Sequence, residues 1–296
     1  GIGYDFSTLR PKGAEVVGVA SDSSGPLSFM DVWDSSCRTI MSAGVRRGAM
    51  MATMRVDHPD VEDFITAKRD PLRLRMFNMS VLITDKFMAA VKAGEQFDLV
   101  FDGKVYKTIN AKSLWDKIMS ATYNYAEPGV IFIDRINEMN NLNYIETIAA
   151  TNPCGEQPLP PYGACLLGSV NMVALLDDFT YEVDDNVVDV SKFPLEEQAV
   201  EARNKRRIGL GVTGLADALA LGGVTYGSDE AVAWTDRVMK MISVAAYQAS
   251  IDLAKEKGAF PLFDAEKYLA TKNMLGMPEH IREQIREHGI RNALLT

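Results

Sequence analysis

Helical spacing of apolar residues first appears after a glycine- and serine-rich opening. One face of this segment carries Leu27, Met30, Trp33, Cys37 and Ile40. The spacing predicts a helix over about 27–43, and we expect its single cysteine to be a core residue. A shorter amphipathic helix is predicted over 58–70, with a proline early in it, where the missing N–H costs nothing.

Strand and helix signals then alternate along the chain. The apolar run at 76–83 predicts a strand, which leads into a helix with Thr84 as its N-cap and Gly94 as its C-cap. Residues 97–109 predict a hairpin that turns at an Asp-Gly pair. Each of these elements carries its own start and stop signals.

Three further elements complete the pattern. We predict a core-facing helix over 113–126, a short buried strand over 130–134 and one long helix over 228–258. Ser228 caps the long helix and Gly258 stops it, and we expect its Met and Tyr residues to be core. Strands that alternate with helices indicate the α/β class.

Composition and charge narrow the class of function. The chain has 296 residues, of which 47% are hydrophobic, so it can bury a large core. A net charge of −9 argues against a nucleic-acid surface, which would show clustered Lys and Arg. No run approaches the roughly eighteen apolar residues of a membrane span. We therefore expect a cytoplasmic protein without a membrane or nucleic-acid partner.

The most informative stretch reads TNPCGEQPLPPYGAC and ends at Cys165. Its four prolines and two glycines exclude a helix or a central strand, so we expect a stiff loop. Asn152 and Glu156 each lie two residues from Cys154. A carboxylate and a carboxamide on either side of a thiol supply a base and a hydrogen-bond partner beside a redox-active sulfur.

Other readings of the cysteines and histidines are weaker. Zinc spacing is absent around Cys154 and Cys165, and no histidine is near in sequence, so no metal site is expected. A structural disulfide between the two remains open, although three cysteines do not resemble a disulfide framework. We read His58, His280 and His288 as surface or capping residues.

Nine separated blocks, together with the loop, resemble the large subunit of ribonucleotide reductases, most closely the adenosylcobalamin-dependent class. The blocks are FSTLRPKG, GPLSFMDVWD, MSAGVRRGAMM, VDHPDVEDFI, RMFNMSVLITD, EPGVIFIDRIN, KRRIGLGVTGLADAL, KEKGAFPLF and HGIRNALLT. They occur in the expected order across nearly the whole chain. The resemblance implies reduction of ribonucleoside di- or triphosphates to 2′-deoxyribonucleotides, with adenosylcobalamin as cofactor.

The resemblance also implies residue roles. Cys154 would be the transient thiyl radical, Glu156 the base at the 3′-hydroxyl, and Asn152 the partner of the ribose hydroxyls. Cys165 would be one half of the reducing dithiol. The residues expected to contact the substrate are Gly1, Asn152, Pro153, Cys154, Gly155 and Glu156. A thiyl radical needs a water-poor pocket, so we expect Cys154 to be sheltered from solvent.

A ten-stranded α/β barrel with a central finger loop is the fold that the resemblance implies. Residues 1–296 would be an incomplete catalytic barrel domain, with an effector and specificity-loop region at 1–54 and the finger loop at 150–170. The residues expected at the effector are Arg10, Gly44, Val45, Arg46, Arg47 and Gly48. Both ends of the full enzyme would be missing, and segment 176–186 looks short by most of a helix.

The implied partners are a ribonucleotide, a deoxynucleotide effector, a thioredoxin- or glutaredoxin-like reductant and, as an option, a second copy in a homodimer. Two alternatives stay open within the resemblance: a large subunit whose radical comes from a metal-bearing partner (class I), and a non-catalytic nucleotide-binding fragment. We expect the fragment alone to be inactive. Gly209–Gly214 also matches G-x-G-x-x-G, but a helical, charged approach makes a nicotinamide site a poor fit.

Overall fold

The computed structural model describes residues 1–16, 18–40, 48–174 and 186–293, which fall into two compact units. Unit 1 comprises Gly1–Asn137 and Thr147–Pro161, and unit 2 comprises Glu138–Glu146 and Tyr162–Thr296. Apart from Asn186, the segment that looked short lies outside the described residues.

Unit 1 alternates strands and helices. Its elements are β1 (Ile2–Asp5), α1 (Pro26–Ile40), β2 (Met50–Arg55), α2 (Val61–Thr66), β3 (Phe77–Ile83), α3 (Asp85–Ala93), β4 (Gln96–Phe101), β5 (Lys104–Asn110), α4 (Ala111–Tyr125), β6 (Gly129–Phe132), α5 (Ile133–Met139), β7 (Ala150–Thr151) and β8 (Pro158–Leu159). The last two residues of α5 belong to unit 2. The mixed α/β class is therefore confirmed.

A four-stranded parallel sheet in the order β1-β2-β3-β6 is the centre of unit 1. The register aligns Ile2 with Met50 and Met50 with Phe77, so the first three strands start level with one another. β2 and β3 are buried along almost their whole length, as inner parallel strands are when both faces are covered. In the described part of the chain β1 and β6 are the edge strands of this sheet, and the ten-stranded barrel stays a prediction.

The local signals of unit 1 are confirmed. Thr84 accepts a hydrogen bond from the Phe87 amide at 3.2 Å and so caps α3, which ends at Gly94 in the left-handed region. β4 and β5 form the expected antiparallel hairpin around Asp102 and Gly103. One hydrophobic core underlies these elements, and Cys37 packs against it half-buried, as predicted.

One burial prediction in unit 1 is wrong, and one apolar helix face is only partly covered. The strand expected to be buried is β6, which among the described residues is an edge strand paired with β3 alone, and its Phe132 is 43% exposed. On α1, Met30 is buried but Trp33 and Ile40 are exposed. Asp34 is buried instead and accepts a hydrogen bond from the Met76 amide at 2.8 Å. Spacing predicts the helix, whereas neighbouring elements decide which positions are covered.

His58 also corrects a prediction, because the ring is buried rather than at the surface. Its Nε2 donates to the Leu9 carbonyl at 3.0 Å, and its Nδ1 accepts from the Asp60 amide at 3.1 Å. The ring closes the turn that precedes α2, but it does not cap this helix, whose N-cap residue is Asp60. Burial lowers the pKa of His58, which favours the neutral ring that this bonding requires.

Unit 2 is mainly helical. Its elements are β9 (Leu166–Asn171), α6 (Asn186–Val190), α7 (Glu196–Lys205), β10 (Ile208–Thr213), α8 (Leu215–Leu221), α9 (Asp229–Lys257), α10 (Ala265–Leu269), α11 (Lys272–Leu275) and α12 (Glu279–His288). β9 and β10 are parallel, with Leu166 aligned to Ile208. The long helix α9 is confirmed with Ser228 and Gly258 at its ends.

The core of unit 2 forms between α9 and the C-terminal helices. Tyr247 and Tyr268 are buried in it, and Asn141 donates to both phenol oxygens, at 2.9 and 3.1 Å. The core position expected for tyrosine in α9 is confirmed by Tyr247. The same expectation for the methionines of α9 is wrong for Met241, which is 71% exposed. In the part of the chain that the structure describes, no helix is long and apolar enough to cross a membrane.

Candidate active site

The cysteine loop is the tip of a minimal hairpin in unit 1. β7 and β8 pair antiparallel through Ala150 with Leu159 and Thr151 with Pro158, and residues 152–157 connect them. Strands this short agree with the proline content, because proline donates no ladder hydrogen bond. The predicted loop is confirmed over this stretch, but β9 begins at Leu166, so the last residues of the predicted 150–170 range form a strand.

Hydrogen bonds inside the loop fix its shape. The Asn152 amide donates to the Gln157 carbonyl at 3.2 Å, and the Gln157 amide donates to Asn152 Oδ1 at 2.9 Å. The Gly155 amide donates to the Asn152 carbonyl at 3.0 Å, with Gly155 at φ +85°. A side chain in place of Gly155 would be strained at that φ. Asn152 Oδ1 thus holds the loop, which leaves its Nδ2 group as the donor for a ligand.

Two polar side chains attach the hairpin to the parallel sheet. Asn78, on β3, donates from Nδ2 to the Pro153 carbonyl at 2.5 Å. The buried Thr53 hydroxyl, on β2, lies 2.9 Å from the Ala149 carbonyl and 3.2 Å from the Tyr4 carbonyl. The contacts with Pro153 and Ala149 thus join side chains of the sheet to backbone carbonyls of the hairpin segment. The sheet therefore positions the residue before Cys154 directly.

Two glycines of the β1 segment allow the hairpin to lie close. A β-carbon added to Gly1 would stand 2.2 Å from Cγ of Pro153, and one added to Gly3 would stand 1.9 Å from the Thr151 carbonyl oxygen. Neither position can hold a larger residue without a shift of the backbone or the proline ring. The structure thus brings Gly1 close to Pro153 of the loop, and their contact with a substrate stays a prediction. Gly3 was missed, although a glycine inside a strand signals close backbone approach.

Cys154, Gly155 and Glu156 project from the tip of the hairpin and are exposed. The expectation that Cys154 is sheltered is wrong for unit 1, because the loop turns outward beyond Pro153, which is itself buried. Among the described residues of unit 1, neither the Cys154 nor the Glu156 side chain has a hydrogen-bond partner. A thiol and a carboxylate thus lie on one short turn, free to meet a ligand.

Cys165 belongs to unit 2, in contrast to Cys154 in unit 1. It immediately precedes β9 and is half-buried and reduced. Burial raises the pKa of the Cys165 thiol to about 11, and the charge of Arg207 opposes that shift. At neutral pH this cysteine is therefore a protonated thiol.

Arg207 is part of a buried charge cluster in unit 2 that sequence reasoning missed. Arg207 and Lys205 each contact both Glu146 and Glu201, with Lys205 Nζ at 2.7 and 2.6 Å from them and Arg207 at 2.9 Å from Glu201. Arg206 turns the chain at φ +49° between α7 and β10. A run of Lys, Arg and Arg directly before an apolar strand could have predicted the cluster, because it places cations at the end of a partly buried strand.

The predicted effector residues are only partly described. Arg10 is exposed, on a loop that is closed by the Ser23 hydroxyl donating to the Arg10 carbonyl at 3.1 Å. Gly48 is exposed just before β2, whereas Gly44, Val45, Arg46 and Arg47 lie outside the described residues. The described ranges contain no group of three or more His, Cys, Asp or Glu side chains that could hold a metal ion.

The glycine motif of unit 2 lies within a strand. Gly209 and Gly211 belong to β10, and Gly214 precedes α8 at φ +73°. A dinucleotide fingerprint needs its glycines in the turn after the strand, where the phosphates meet a helix N-terminus. The structure thus agrees with reading this motif as a strand-to-helix junction, where Gly214 serves the turn.

Comparisons with known proteins agree with these features. Residues 1–296 match the family described as ribonucleotide reductase, barrel domain. The vitamin B12-dependent ribonucleoside-diphosphate reductase of Mycobacterium tuberculosis is 43% identical over 284 residues, which is 90% of this chain and 41% of that protein. The protein of the same name from Thermoplasma acidophilum is 39% identical over 278 residues, 88% of this chain and 36% of that protein.

A ribonucleoside-diphosphate reductase subunit alpha from Chlamydia muridarum is more distant, at 29% identity over 367 residues, 100% of this chain and 35% of that protein. The chain thus spans less than half the length of each of these relatives. Because the family match extends over every residue, this chain belongs to the ribonucleotide reductase barrel domain family.

Proposed function

We propose that this chain carries the catalytic loop of a ribonucleotide reductase that converts ribonucleoside diphosphates into 2′-deoxyribonucleoside diphosphates. The observation that carries the proposal is the turn at 152–157, which presents Cys154 between Asn152 and Glu156 and is fixed to a parallel sheet. The diphosphate form of the substrate follows the names of the similar proteins from Mycobacterium and Thermoplasma.

In the proposed reaction, Cys154 as a thiyl radical removes the 3′ hydrogen atom of the ribose, and Glu156 takes the 3′-hydroxyl proton. The 2′-hydroxyl then leaves as water, helped by the base on its neighbour. Asn152 Nδ2 donates to a ribose hydroxyl. The 3′ hydrogen atom finally returns from Cys154, so that the thiyl radical is regenerated.

The two electrons of the reduction come from a pair of thiols that end as a disulfide. We propose Cys165 as one of them, and its raised pKa keeps a proton on the sulfur for delivery to the substrate. One ribonucleotide and two thiols thus give one deoxyribonucleotide, one water and one disulfide. A thioredoxin- or glutaredoxin-like reductant would restore the thiols after each turnover.

Adenosylcobalamin is the proposed cofactor, because the two relatives most similar in identity above are named as vitamin B12-dependent. When bound, this cofactor supplies the radical that draws the hydrogen atom from a cysteine thiol. The Cys154 side chain is exposed on unit 1 and is therefore open to approach by such a group. Cys154 is the residue that would face it.

We infer that the 1–54 region binds the deoxynucleotide effector, with Arg10 as one contact. Two hydrogen bonds support an ordered loop there: the His58 ring to the Leu9 carbonyl at 3.0 Å, and the Lys12 amide to Asp60 Oδ2 at 2.9 Å. Both bonds hold the backbone on either side of Arg10, so the exposed side chain starts from an ordered loop.

The test is a set of cysteine substitutions in a turnover-competent form of the protein. Cys154→Ser should abolish deoxynucleotide formation while nucleotide binding survives, because only sulfur carries the radical. Cys165→Ser should stop catalysis at or before one turnover. Cys37→Ser is the matched control, since Cys37 lies on α1 and packs against the core of unit 1, and it should retain activity.

Multiple turnover by the Cys154→Ser protein would rule the proposal out. Activity that is independent of adenosylcobalamin but requires a second, metal-bearing subunit would instead support the class I alternative. Product is measured as deoxynucleotide formed per protein chain, which separates zero, one and many turnovers.

A further inference from the structure

Cys165 and Arg207 immediately precede the parallel strands β9 and β10, and the charge of Arg207 acts on the pKa of the Cys165 thiol. Leu166 is aligned with Ile208, so the residues that immediately precede them lie at the same end of the strand pair. Neighbouring strands lie about 4.8 Å apart, and paired residues point to the same face of the sheet. An arginine thus stands at the same strand end as the thiol.

Arg207 is held there with little freedom. Its side chain is 2% exposed and contacts the carboxylates of Glu146 and Glu201. Lys205 contacts the same two carboxylates, so the cluster balances two cations against two anions. The remaining cation at this junction, Arg206, is directed to Asp189 with two contacts of 2.9 Å.

One polar atom of this charge cluster makes no hydrogen bond within the described residues. Arg207 Nε is buried and has no hydrogen-bond partner among the described residues. A buried donor without a partner loses the water that it would otherwise bind, which is costly unless an acceptor forms nearby. A thiolate on Cys165 would be such an acceptor, whereas a neutral thiol is a weak one.

We propose that Arg207 is a positioning residue that sets the acidity of Cys165, and that Glu146 and Glu201 limit its effect by neutralising part of its charge. This inference rests on the proposed function only in giving Cys165 a redox role. Arg207 stabilises the thiolate that must form when the oxidised pair is reduced, because thiol–disulfide exchange proceeds through thiolates. The carboxylates keep the stabilisation small enough that the resting sulfur stays protonated.

The experiment measures the pH dependence of Cys165 alkylation by iodoacetamide. A Cys37→Ser, Cys154→Ser background makes Cys165 the single thiol of the chain. Below the pKa, the alkylation rate follows the thiolate fraction, so one pKa unit changes the rate about tenfold. The background protein should show a rate that rises with pH up to about 11.

Two substitutions should act in opposite directions. Arg207→Gln should slow alkylation at pH 9 about tenfold, because the thiolate loses its cation. Glu201→Gln should accelerate alkylation, because it frees positive charge beside the sulfur. Arg207→Lys keeps the charge but removes the Nε donor, so its rate should lie between those of the background and Arg207→Gln. Circular dichroism checks that each variant is folded.

Mere loosening of the structure would expose the sulfur and accelerate alkylation in every variant. Faster alkylation in Arg207→Gln, or an unchanged rate in Glu201→Gln, would therefore overturn the proposal. If Arg207→Gln does not fold, Glu201→Gln still decides once amide exchange in β9 and β10 is measured beside it, since Glu201 is the more exposed carboxylate of the cluster. Faster alkylation with unchanged exchange supports the proposal, and faster alkylation with faster exchange overturns it. The readout needs no substrate or cofactor, so it is independent of whether the protein reduces ribonucleotides.

Discussion

Asn78 contacts the cysteine loop through the Pro153 carbonyl, one residue before Cys154. Asn78 itself is exposed on β3, so its side chain would be free to rotate without this bond. The contact therefore restrains the loop at the point where a small displacement would move the sulfur away from a substrate. In enzymes, a misplacement of about 1 Å can cost about a hundredfold in rate.

We predict that Asn78→Ala loosens the loop with little loss of global stability. The free energy of unfolding should fall by about 1 kcal/mol, the net value of one hydrogen bond. Amide hydrogen exchange at Gly155, whose N–H donates within the loop, should become faster. Exchange in the middle of β3 should not change, because its ladder is intact.

The matched control is Asn124→Ala, which removes an exposed asparagine from α4 in the same unit. It should leave Gly155 exchange as it is in the unaltered chain. Equal exchange rates at Gly155 in both variants would show that Asn78 does not restrain the loop.

At the scale of single residues, the sequence predicted the reactive side chains of the loop but not the residues that hold the loop in place. Cys154, Asn152 and Glu156 lie within five residues, so their combination is visible in the printed sequence. Asn78 reaches its carbonyl across 75 positions, and no local pattern encodes such a pairing. The exposure of Cys154 was missed for the same reason, since burial depends on what packs around a turn.

Elements with signals at both ends were predicted most accurately. Helix α3 begins after Thr84 and ends at Gly94 as the sequence indicates, because each signal acts on backbone groups within one turn. The partial exposure of β6 was not predictable, since an apolar run looks the same in a central strand and in an edge strand. Its position at the sheet edge follows from the crossover, which the residues of β6 do not specify.

Thr84→Ala should therefore destabilise unit 1 through α3 alone. The Phe87 amide would lose its acceptor, and the expected loss is about 1 kcal/mol in the free energy of unfolding. Thr84→Ser keeps the hydroxyl oxygen and should lose at most a few tenths of that. Urea unfolding of the three proteins provides the comparison, and equal midpoints would show that the cap contributes nothing.

At the scale of the whole molecule, Cys154 belongs to unit 1 and Cys165 to unit 2, although the sequence predicted both in one finger loop. Unit 1 carries the loop tip and the sheet that holds it, and unit 2 carries Cys165 with its charge cluster. The proposed reaction requires both. The family match covers the entire chain, so the resemblance was predictable from the sequence, whereas the boundary near Pro161 depends on contacts in space.

We predict no turnover by residues 1–296 alone, even with adenosylcobalamin, a ribonucleoside diphosphate and a dithiol. Cys154 is exposed on unit 1, and a radical in contact with water and stray hydrogen donors would be quenched. Deoxynucleotide formation is measured by chromatography against the same chain with Cys154→Ser. Product above that background would contradict the prediction.

The hairpin is attached to its sheet through the carbonyls of Ala149 and Pro153 and through the close approach of Gly3 to Thr151. None of these contacts involves the side chain at position 154. The side chain at position 154 can therefore be exchanged without loss of the contacts that hold the hairpin. A selenol, a spin label or a fluorophore attached there would report on ligands that approach the turn.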